Sequence, residues 1–380
     1  MTVPRLWART LRGLEGVAAA EISFQFDSAV AEVVDRGVTF EIARPDPSLF
    51  RLQCCDDLFA LAGQRDGVGH QRRAVRELED LVDPVGVARS AALRSALTGH
   101  DGRGPVEVVA SVVGRHNYSR FDIEDTVGLR LANVRGKRYA SRRSSQPPRT
   151  TEAWRVVLDH GQAWLGLRLS TKPLHRRGYR RGPGPGATHP PLAAAAALLA
   201  GLRTGQVLLD PCCGSGTIPV EASLLRPNGR VVGADINIHA LASARSNVAR
   251  AGVDASLCRA DASEPPFARG TVDRLVTNPP WGRQVSWANA SANPFLLWCA
   301  AASVLAGDGR AVAITDKPER HLESLARIGF GAVTFGPISL RGSSVSILVA
   351  DPSHPKLIDP GGMAARELAR WCRTETSSRS

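Results

Sequence analysis

The chain has 380 residues, 43% of them hydrophobic, which suits an ordinary globular protein of two or three domains and excludes a disordered one. Its formal net charge is +12, and such an excess favours a polyanionic partner. The most apolar run, residues 190–202, is mostly alanine and too short to span a membrane, and the first residues lack the apolar core of a secretory signal. We therefore expect a cytoplasmic protein without a membrane segment.

The seven cysteines form no Cys-x-x-Cys pair. The adjacent pairs Cys54–Cys55 and Cys212–Cys213 have neither the spacing of a zinc site nor that of a disulfide framework. This usage is typical of a reducing compartment, and it predicts no metal site.

Positive charge is concentrated in the middle of the chain. Only four of the 48 basic residues are lysine, so the total charge can also reflect a compositional bias. Its position is better evidence, because no acidic residue occurs between Asp125 and Glu152 or between Asp159 and Asp210.

The N-terminal half predicts an α+β fold. Its predicted elements are a helix over 11–22, a strand-like stretch over 31–42, a strand over 106–113, a helix over 123–136, and a strand pair within 153–170 that turns at 159–161. Residues 171–191 are rich in Gly, Pro and Arg, which is typical of a linker.

The C-terminal half alternates strands and helices, which predicts a parallel sheet covered on both faces. Strands are predicted at 206–210, 230–235, 255–261, 272–280 and 310–316, and helices at 217–226, 239–252, 294–309 and 318–330. Residues 331–340 and 344–350 flank the turn "RGSS" and predict a terminal antiparallel hairpin, and a short helix is predicted in the tail over 362–373.

The stretch "LLDPCCGSGTIPVEA", residues 208–222, leaves the first strand of this half through two glycines. A dinucleotide loop needs a third glycine where Pro219 stands, and a triphosphate loop needs a lysine after Gly216, so both fit poorly. Acids end three successive strands instead: Asp210, Asp235 and Asp261. They suit a cationic amino group, two ribose hydroxyls and an adenine amino group, which together indicate S-adenosyl-L-methionine. The alternative for each acid is a helix N-cap.

The sequence "TNPPWG", residues 277–282, follows the fourth strand. The amide oxygen of Asn278 and the carbonyl of Pro279 can each accept a hydrogen from an exocyclic base amine, and Pro280 stiffens the loop. Trp281 offers a face on which a flipped base can stack. The simpler alternatives are a turn and, for Trp281, core packing.

Three of these motifs, "DPCCGSGTIPVEA", "GADIN" and "NPPWG", resemble those of class I amino-methyltransferases. With "PLHRRGYR", residues 173–180, they resemble the THUMP-domain RNA guanine-N2-methyltransferases, which act on tRNA or rRNA. The stretches "VVGRHNYSRFDIEDTVG" and "WRVVLDHGQAWLGLRLS" are similar to the second half of a THUMP domain. Trp281 and the proline pair of "THPP", residues 188–191, depart from the usual family pattern without removing a catalytic group.

The resemblance implies a fold and five segments. We expect an α/β protein with a C-terminal Rossmann-like class I methyltransferase domain, whose seven-stranded sheet closes with an antiparallel hairpin, preceded by an α+β ferredoxin-like and THUMP region. The segments are a ferredoxin-like module (1–74), a THUMP domain (75–170), a basic linker (171–200), the methyltransferase domain (201–352) and a tail (353–380).

It also implies site residues. The base would be held by Asn278, Pro279, Pro280 and Trp281, and the cofactor by Asp210, Cys212, Gly214, Gly216, Thr217, Asp235, Ile236, Asp261, Ala262 and Asn278. RNA contacts would come from Lys137, Arg138, Arg142, Arg143, Lys172, His175, Arg176, Arg177, Tyr179, Arg180 and Arg181, with Tyr179 either stacking on a base or packing under the linker. The implied activity is methylation of a guanosine N2 amine, in tRNA near the acceptor stem more than in rRNA. A DNA or protein amino-methyltransferase, or an RNA-binding protein that has lost catalysis, stays the alternative.

Overall fold

The structure is a computed structural model and describes residues 3–26, 29–100, 102–143, 151–181, 186–226, 228–281 and 293–351. It contains two seven-stranded sheets, one from each half of the chain. The α/β class and the division into two halves are as expected from the sequence.

The N-terminal half forms one continuous sheet with the strand order β2-β3-β1-β4-β7-β6-β5. The strands are β1 (Arg5–Arg9), β2 (Ala29–Val34), β3 (Gly37–Glu41), β4 (Asp57–Arg65), β5 (Val106–Val113), β6 (Glu152–Asp159) and β7 (Gln162–Arg168), and the helices are α1 (Glu15–Gln25), α2 (Pro84–Thr98) and α3 (Arg120–Arg135). Short 3₁₀ helices cover Pro47–Arg51 and Arg72–Leu81. Because β4 pairs with β7, the expected boundary at residue 74 divides a single sheet.

Most sequence-predicted elements of this half are present, including β5, α3 and the β6–β7 hairpin. The single strand expected over 31–42 was wrong: it is a hairpin of β2 and β3 that turns at Asp35 and Arg36. Arg36 has a φ of 58°, a conformation for which the sequence carries no Asn-Gly or Asp-Gly signal.

The C-terminal half forms the predicted parallel sheet with a terminal antiparallel hairpin, in the order β10-β9-β8-β11-β12-β14-β13. The strands are β8 (Val207–Asp210), β9 (Arg230–Asp235), β10 (Ser256–Arg259), β11 (Val272–Thr277), β12 (Leu305–Thr315), β13 (Gly331–Leu340) and β14 (Ser343–Asp351). The helices are α4 (Pro190–Ala200), α5 (Thr217–Leu225), α6 (Ile238–Ala251), α7 (Pro294–Val304) and α8 (Pro318–Arg327).

Two boundaries differ from the sequence prediction. Helix α7 ends at Val304 and β12 begins at Leu305, before the glycines, because Leu305 pairs with Val272 of β11. Helix α4 lies within the expected linker, yet all its residues are buried and it packs on α5, β11 and β12. Helix α4 therefore packs as part of the C-terminal half, although it lies before residue 201.

The largest hydrophobic cluster joins the two halves. It contains Leu6 and Leu58 from the first sheet, Leu192 from α4, and Val276 and Ile347 from the second sheet. The shared cluster means that the two sheets pack as parts of one body. None of the helices in the described ranges is long and apolar enough to cross a membrane, and the helix expected over 362–373 lies outside those ranges.

Candidate functional site

The three acids expected to bind a cofactor lie at one edge of the second sheet. Asp210 ends β8, Asp235 ends β9, and Asp261 follows β10, and these three strands are neighbours. The carboxyl ends of parallel strands meet at the same edge, where α/β folds bind their ligands. The structure therefore brings the three sequence-predicted acids together.

The Asp210 carboxylate is buried, and only one of its two oxygens has a hydrogen-bond partner among the described residues. Its Oδ1 accepts a hydrogen bond from the backbone N–H of Cys212 at 3.1 Å, while its Oδ2 has no hydrogen-bond partner among the described residues. Burial raises the pKa of this carboxyl well above its ordinary value, and the negative charge of Asp235 raises it further. A cationic group beside Oδ2 would offset both effects.

The glycine loop after β8 contains two residues with positive φ and is hydrogen-bonded to Asp235. Gly214 and Gly216 have φ values of +53° and +79°, and the backbone N–H of Gly214 donates to Asp235 Oδ2 at 2.8 Å. A Cβ at Gly214 would meet nothing within 4 Å, whereas one at Gly216 would lie 3.0 Å from the Cβ of Ala244 in α6. Gly214 therefore leaves space for a ligand, and Gly216 is required by helix packing.

The other two acids make local contacts as well. Asp235 Oδ1 accepts from the N–H of Asn237, and it is Asn237, not Asp235, that caps α6. Asp261 Oδ1 accepts from the N–H and hydroxyl of Ser263, a local turn contact and not a helix N-cap. Ile236 is exposed at this edge. Each carboxylate oxygen can accept more than one hydrogen bond, so these contacts leave capacity for a ligand.

The remaining positions expected to contact the cofactor surround the loop. Cys212 is half-buried and Ala262 is buried, and burial raises the pKa of the Cys212 thiol, so it is not a thiolate nucleophile. Thr217 begins α5, and its buried hydroxyl has no hydrogen-bond partner in the described ranges.

Asn278 lies directly after β11, the strand beside β8. Two residues of the expected linker, Gly186 and Thr188, fix the orientation of its side-chain amide. The amide nitrogen donates to the hydroxyl of Thr188 at 3.0 Å and to the carbonyl of Gly186 at 3.4 Å. A carbonyl can only accept, so the nitrogen side must face Gly186. The amide oxygen is then left buried with no hydrogen-bond partner in the described part of the chain. It is an acceptor held ready for an N–H group.

The rest of the Asn-Pro-Pro-Trp motif is fixed against the protein. Pro279 is buried and Pro280 half-buried. The indole N–H of Trp281 donates to the carbonyl of Ile314 at 3.3 Å, and the half-buried ring packs against the large hydrophobic cluster. Part of the Trp281 ring therefore packs in the core, as the simpler alternative for this residue supposes.

The linker contains a buried polar cluster that the sequence prediction missed. Arg177 donates to Glu221 of α5 at 2.9 and 3.0 Å, and the Tyr179 hydroxyl donates to the same carboxylate at 2.6 Å. Gln53 of the N-terminal half donates to Glu221 Oε2 at 2.9 Å and accepts from Arg177 through its carbonyl. Both side chains therefore join the two halves inside the protein, which for Tyr179 is the packing under the linker that the sequence leaves open. The signal for this in the sequence is a single acid, Glu221, in an otherwise uncharged and mostly apolar helix.

Several other basic residues expected to contact RNA are paired with carboxylates. Lys137 pairs with Glu152, Arg142 with Glu107, and Arg143 with Asp122 and Asp125. His175 is half-buried, with its ring against His189 and its Nδ1 3.1 Å from the Asp56 carbonyl, and Arg180 is half-buried. Arg138, Lys172, Arg176 and Arg181 are exposed. Sequence proximity grouped these cations, but folding placed acids beside many of them.

A parallel sheet closed by an antiparallel hairpin, with a glycine loop after its first strand and acids at the following strand ends, defines a class I methyltransferase domain. Residues 177–329 match the family model described as the RMKL-like methyltransferase domain.

Two curated relatives are similar to parts of the chain. One is the tRNA (guanine(6)-N2)-methyltransferase of Thermus thermophilus, 34% identical over 202 residues, which are 53% of this chain and 58% of that protein. The other is the tRNA (guanine(10)-N2)-dimethyltransferase of Methanothermobacter thermautotrophicus, 39% identical over 105 residues, which are 27% of this chain and 30% of that protein. The chain thus spans at most about 58% of the length of these two relatives.

The crystal structure of TrmN from Thermus thermophilus is similar over nearly its whole length. Its TM-score is 0.71 at 26% identity, and the match covers 92% of this chain and 99% of that one. A possible methylase from Clostridium difficile 630 has a TM-score of 0.67 at 17% identity, with 92% and 98% covered, and shows the same fold. The expected architecture of both halves is thereby confirmed.

Proposed function

We propose that this protein transfers a methyl group from S-adenosyl-L-methionine to the exocyclic N2 amine of a guanosine in RNA, in tRNA rather than rRNA. The observation that carries the proposal is the buried, unpartnered oxygen of Asn278, held in place by Thr188 at the sheet edge that also carries Asp210. The names of both curated relatives, tRNA guanine-N2-methyltransferases, support the choice of base and RNA.

The cofactor-binding residues fit S-adenosyl-L-methionine, which supplies an electrophilic methyl group on a sulfonium. Asp210 would hold the ammonium of the methionine part, because its Oδ2 is buried and has no hydrogen-bond partner among the described residues. Gly214 would let the ligand approach the backbone, since no atom lies within 4 Å of its missing Cβ. Asp235 and Asp261 would accept hydrogens from the ribose and the adenine, respectively.

Asn278 would position the acceptor amine. The N2 lone pair of guanine is conjugated with the ring, so the amine is a weak nucleophile and gains most from being held in line with the methyl group. The Asn278 oxygen and the Pro279 carbonyl would each accept one N–H, and Trp281 would border a base flipped out of the RNA. Asn278 cannot take a proton, so the proton leaves the methylated amine to solvent.

The RNA-binding half would present the substrate. We propose that residues 75–170 are a THUMP domain, on the motif resemblance and the match to TrmN over both halves. The expected position near the acceptor stem rests on the family resemblance.

Nucleoside mass spectrometry of total tRNA and rRNA from a strain lacking the gene tests the function. We expect loss of N2-methylguanosine from tRNA, restored by the wild-type gene but not by Asn278→Ala. Asn133→Ala, at an exposed position of α3, is the matched control and should restore it. An unchanged profile in both RNA pools would rule out the proposal. Loss of N2-methylguanosine from rRNA alone would show that the substrate is rRNA and not tRNA.

A further inference from the structure

One face of the N-terminal sheet points away from its hydrophobic core. Alternation along the strands sends Leu6, Leu58, Val156 and Leu167 toward the core, where apolar residues of α1, α2 and α3 pack. The intervening residues lie on the opposite face, among them the stacked pair Trp7–Phe59, whose ring centroids are 4.9 Å apart; this pair belongs to neither core cluster of that half.

Four arginines meet on this opposite face, and we call them the arginine face: Arg9 of β1, Arg36 of the β2–β3 turn, Arg155 of β6 and Arg168 of β7. The strand register brings them to neighbouring strands, because Arg9 pairs with Asp57, Phe59 with Arg168, and Gly166 with Arg155. The Arg168 guanidinium lies 5.8 Å from the Phe59 ring centroid. All four side chains are half-buried, so part of each remains accessible.

Their charges act on one another. Burial lowers the pKa of Arg155 to about 9, and the positive charges of Arg9, Arg168 and Arg36 lower it further. Burial also lowers the pKa of Arg9, with Arg36 as the next cause. Like charges this close and partly removed from water repel one another, which costs folding free energy unless an anion is present.

The described chain supplies too few carboxylates to neutralise the face. Asp57 is bonded to Arg168 at 2.8 Å, and the other recorded partner is neutral, the Ser111 hydroxyl beside Arg155. The Nε atoms of Arg36 and Arg155 are buried and have no acceptor among the described residues. The face therefore combines surplus positive charge with unsatisfied donors.

We propose that the arginine face is a phosphate-binding site for the RNA backbone. Guanidinium groups bind phosphate by paired N–H donors, and the stacked pair Trp7–Phe59 packs beside Arg168. The identity of the ligand as RNA rests on the proposed function. This site also lies near the linker, because Asp56, the neighbour of Asp57, bonds His189 at 2.7 Å, and the adjacent Thr188 holds Asn278.

The arginine face lies outside the basic segments that the sequence indicates as RNA contacts. The basic stretch 135–143 is largely paired with acids, whereas the arginine face assembles residues from Arg9 to Arg168 that are distant in the chain. Arg89, exposed on α2 at the other side of the same sheet, provides a matched control.

Binding of a tRNA transcript over a series of salt concentrations, followed by fluorescence anisotropy, tests the site. We expect Arg36→Gln and Arg155→Gln each to weaken binding several-fold and to reduce the slope of log Kd against log salt by about 0.7 to 1, as one lost phosphate contact does. Arg155→Lys should keep most of the slope, and Arg89→Gln should leave it unchanged.

Thermal unfolding of each variant separates folding from binding, and Arg36, in the β2–β3 turn, serves if the Arg155 variant does not fold. Folded Arg36→Gln with wild-type Kd and slope would overturn the inference. Because the readout is binding and not methylation, a chain that binds tRNA through this face yet leaves guanosine unmethylated would refute the proposed function alone.

Discussion

The orientation of one amide decides whether the candidate site can hold an amine. Asn278 could present either its oxygen or its NH₂ group to a substrate, and the Thr188 hydroxyl and Gly186 carbonyl select the oxygen. The motif predicts Asn278 from sequence. It does not predict Thr188, which lies 90 residues earlier and reaches Asn278 only because α4 begins beside the end of β11.

Replacing Thr188 tests this orientation. We expect Thr188→Val to lower kcat about tenfold to a hundredfold, because the amide can rotate and misplace the acceptor. KM for tRNA and the affinity for S-adenosyl-L-methionine should stay near wild type, and Thr188→Ser should recover most of kcat. Steady-state kinetics with both substrates checks the split. A wild-type kcat in Thr188→Val would show that the hydroxyl does not orient the amide.

At the scale of elements, the spacing of hydrophobic residues and the turn residues predict most of the second sheet. The elements that were predicted wrongly depend on tertiary contacts. Residues 305–309 read as a helix end, but pairing of Leu305 with Val272 extends β12 through the glycines. Residues 190–200 read as part of a linker, although their alanines let α4 pack closely on α5. Neither partner strand nor partner helix is visible in the local sequence.

The α7–α8 pair contains a histidine that must stay neutral. His321 is buried, and its Nδ1 accepts a hydrogen bond from the indole N–H of Trp298 at 3.2 Å. Burial lowers the pKa of His321 to about 4, with the charge of Arg320 as the next cause. The neutral form is therefore favoured in the folded state, and the unfolded chain binds the proton more tightly.

Stability should consequently fall as the pH drops. The contribution of His321 is fully present above the unfolded pKa of about 6.5 and is lost as the pH falls through about 4, up to about 3 kcal/mol. Urea unfolding of wild type and His321→Gln between pH 4 and 7 measures it. We expect the variant to lose this part of the pH dependence and His239→Gln, at an exposed site of α6, to retain it. Parallel curves for wild type and His321→Gln would exclude a buried neutral histidine.

For the whole molecule, the sequence predicts two halves and a basic connection, but not that the connection is part of the core. Arg177 and Tyr179 were grouped with surface arginines because the partner that buries them, Glu221, lies on another element more than 40 residues away. The linker is also bonded to the first half, through His189 to Asp56 and Arg177 to Gln53. The two halves are thus joined by buried polar contacts as well as apolar ones.

Glu221 is the centre of this junction, so its removal should weaken the coupling between the two halves during unfolding. We expect Glu221→Ala to lower the free energy of unfolding by about 3 to 5 kcal/mol, because it leaves the Arg177 charge buried without a partner. Glu221→Gln should cost less, since it keeps acceptors for Tyr179 and one Arg177 N–H, and Glu264→Ala, at an exposed position, should cost almost nothing. Urea unfolding followed by circular dichroism measures all three, and a second transition in Glu221→Ala would mark independent unfolding of the halves. A single transition with wild-type stability in Glu221→Ala would show that the shared hydrophobic cluster alone holds them together.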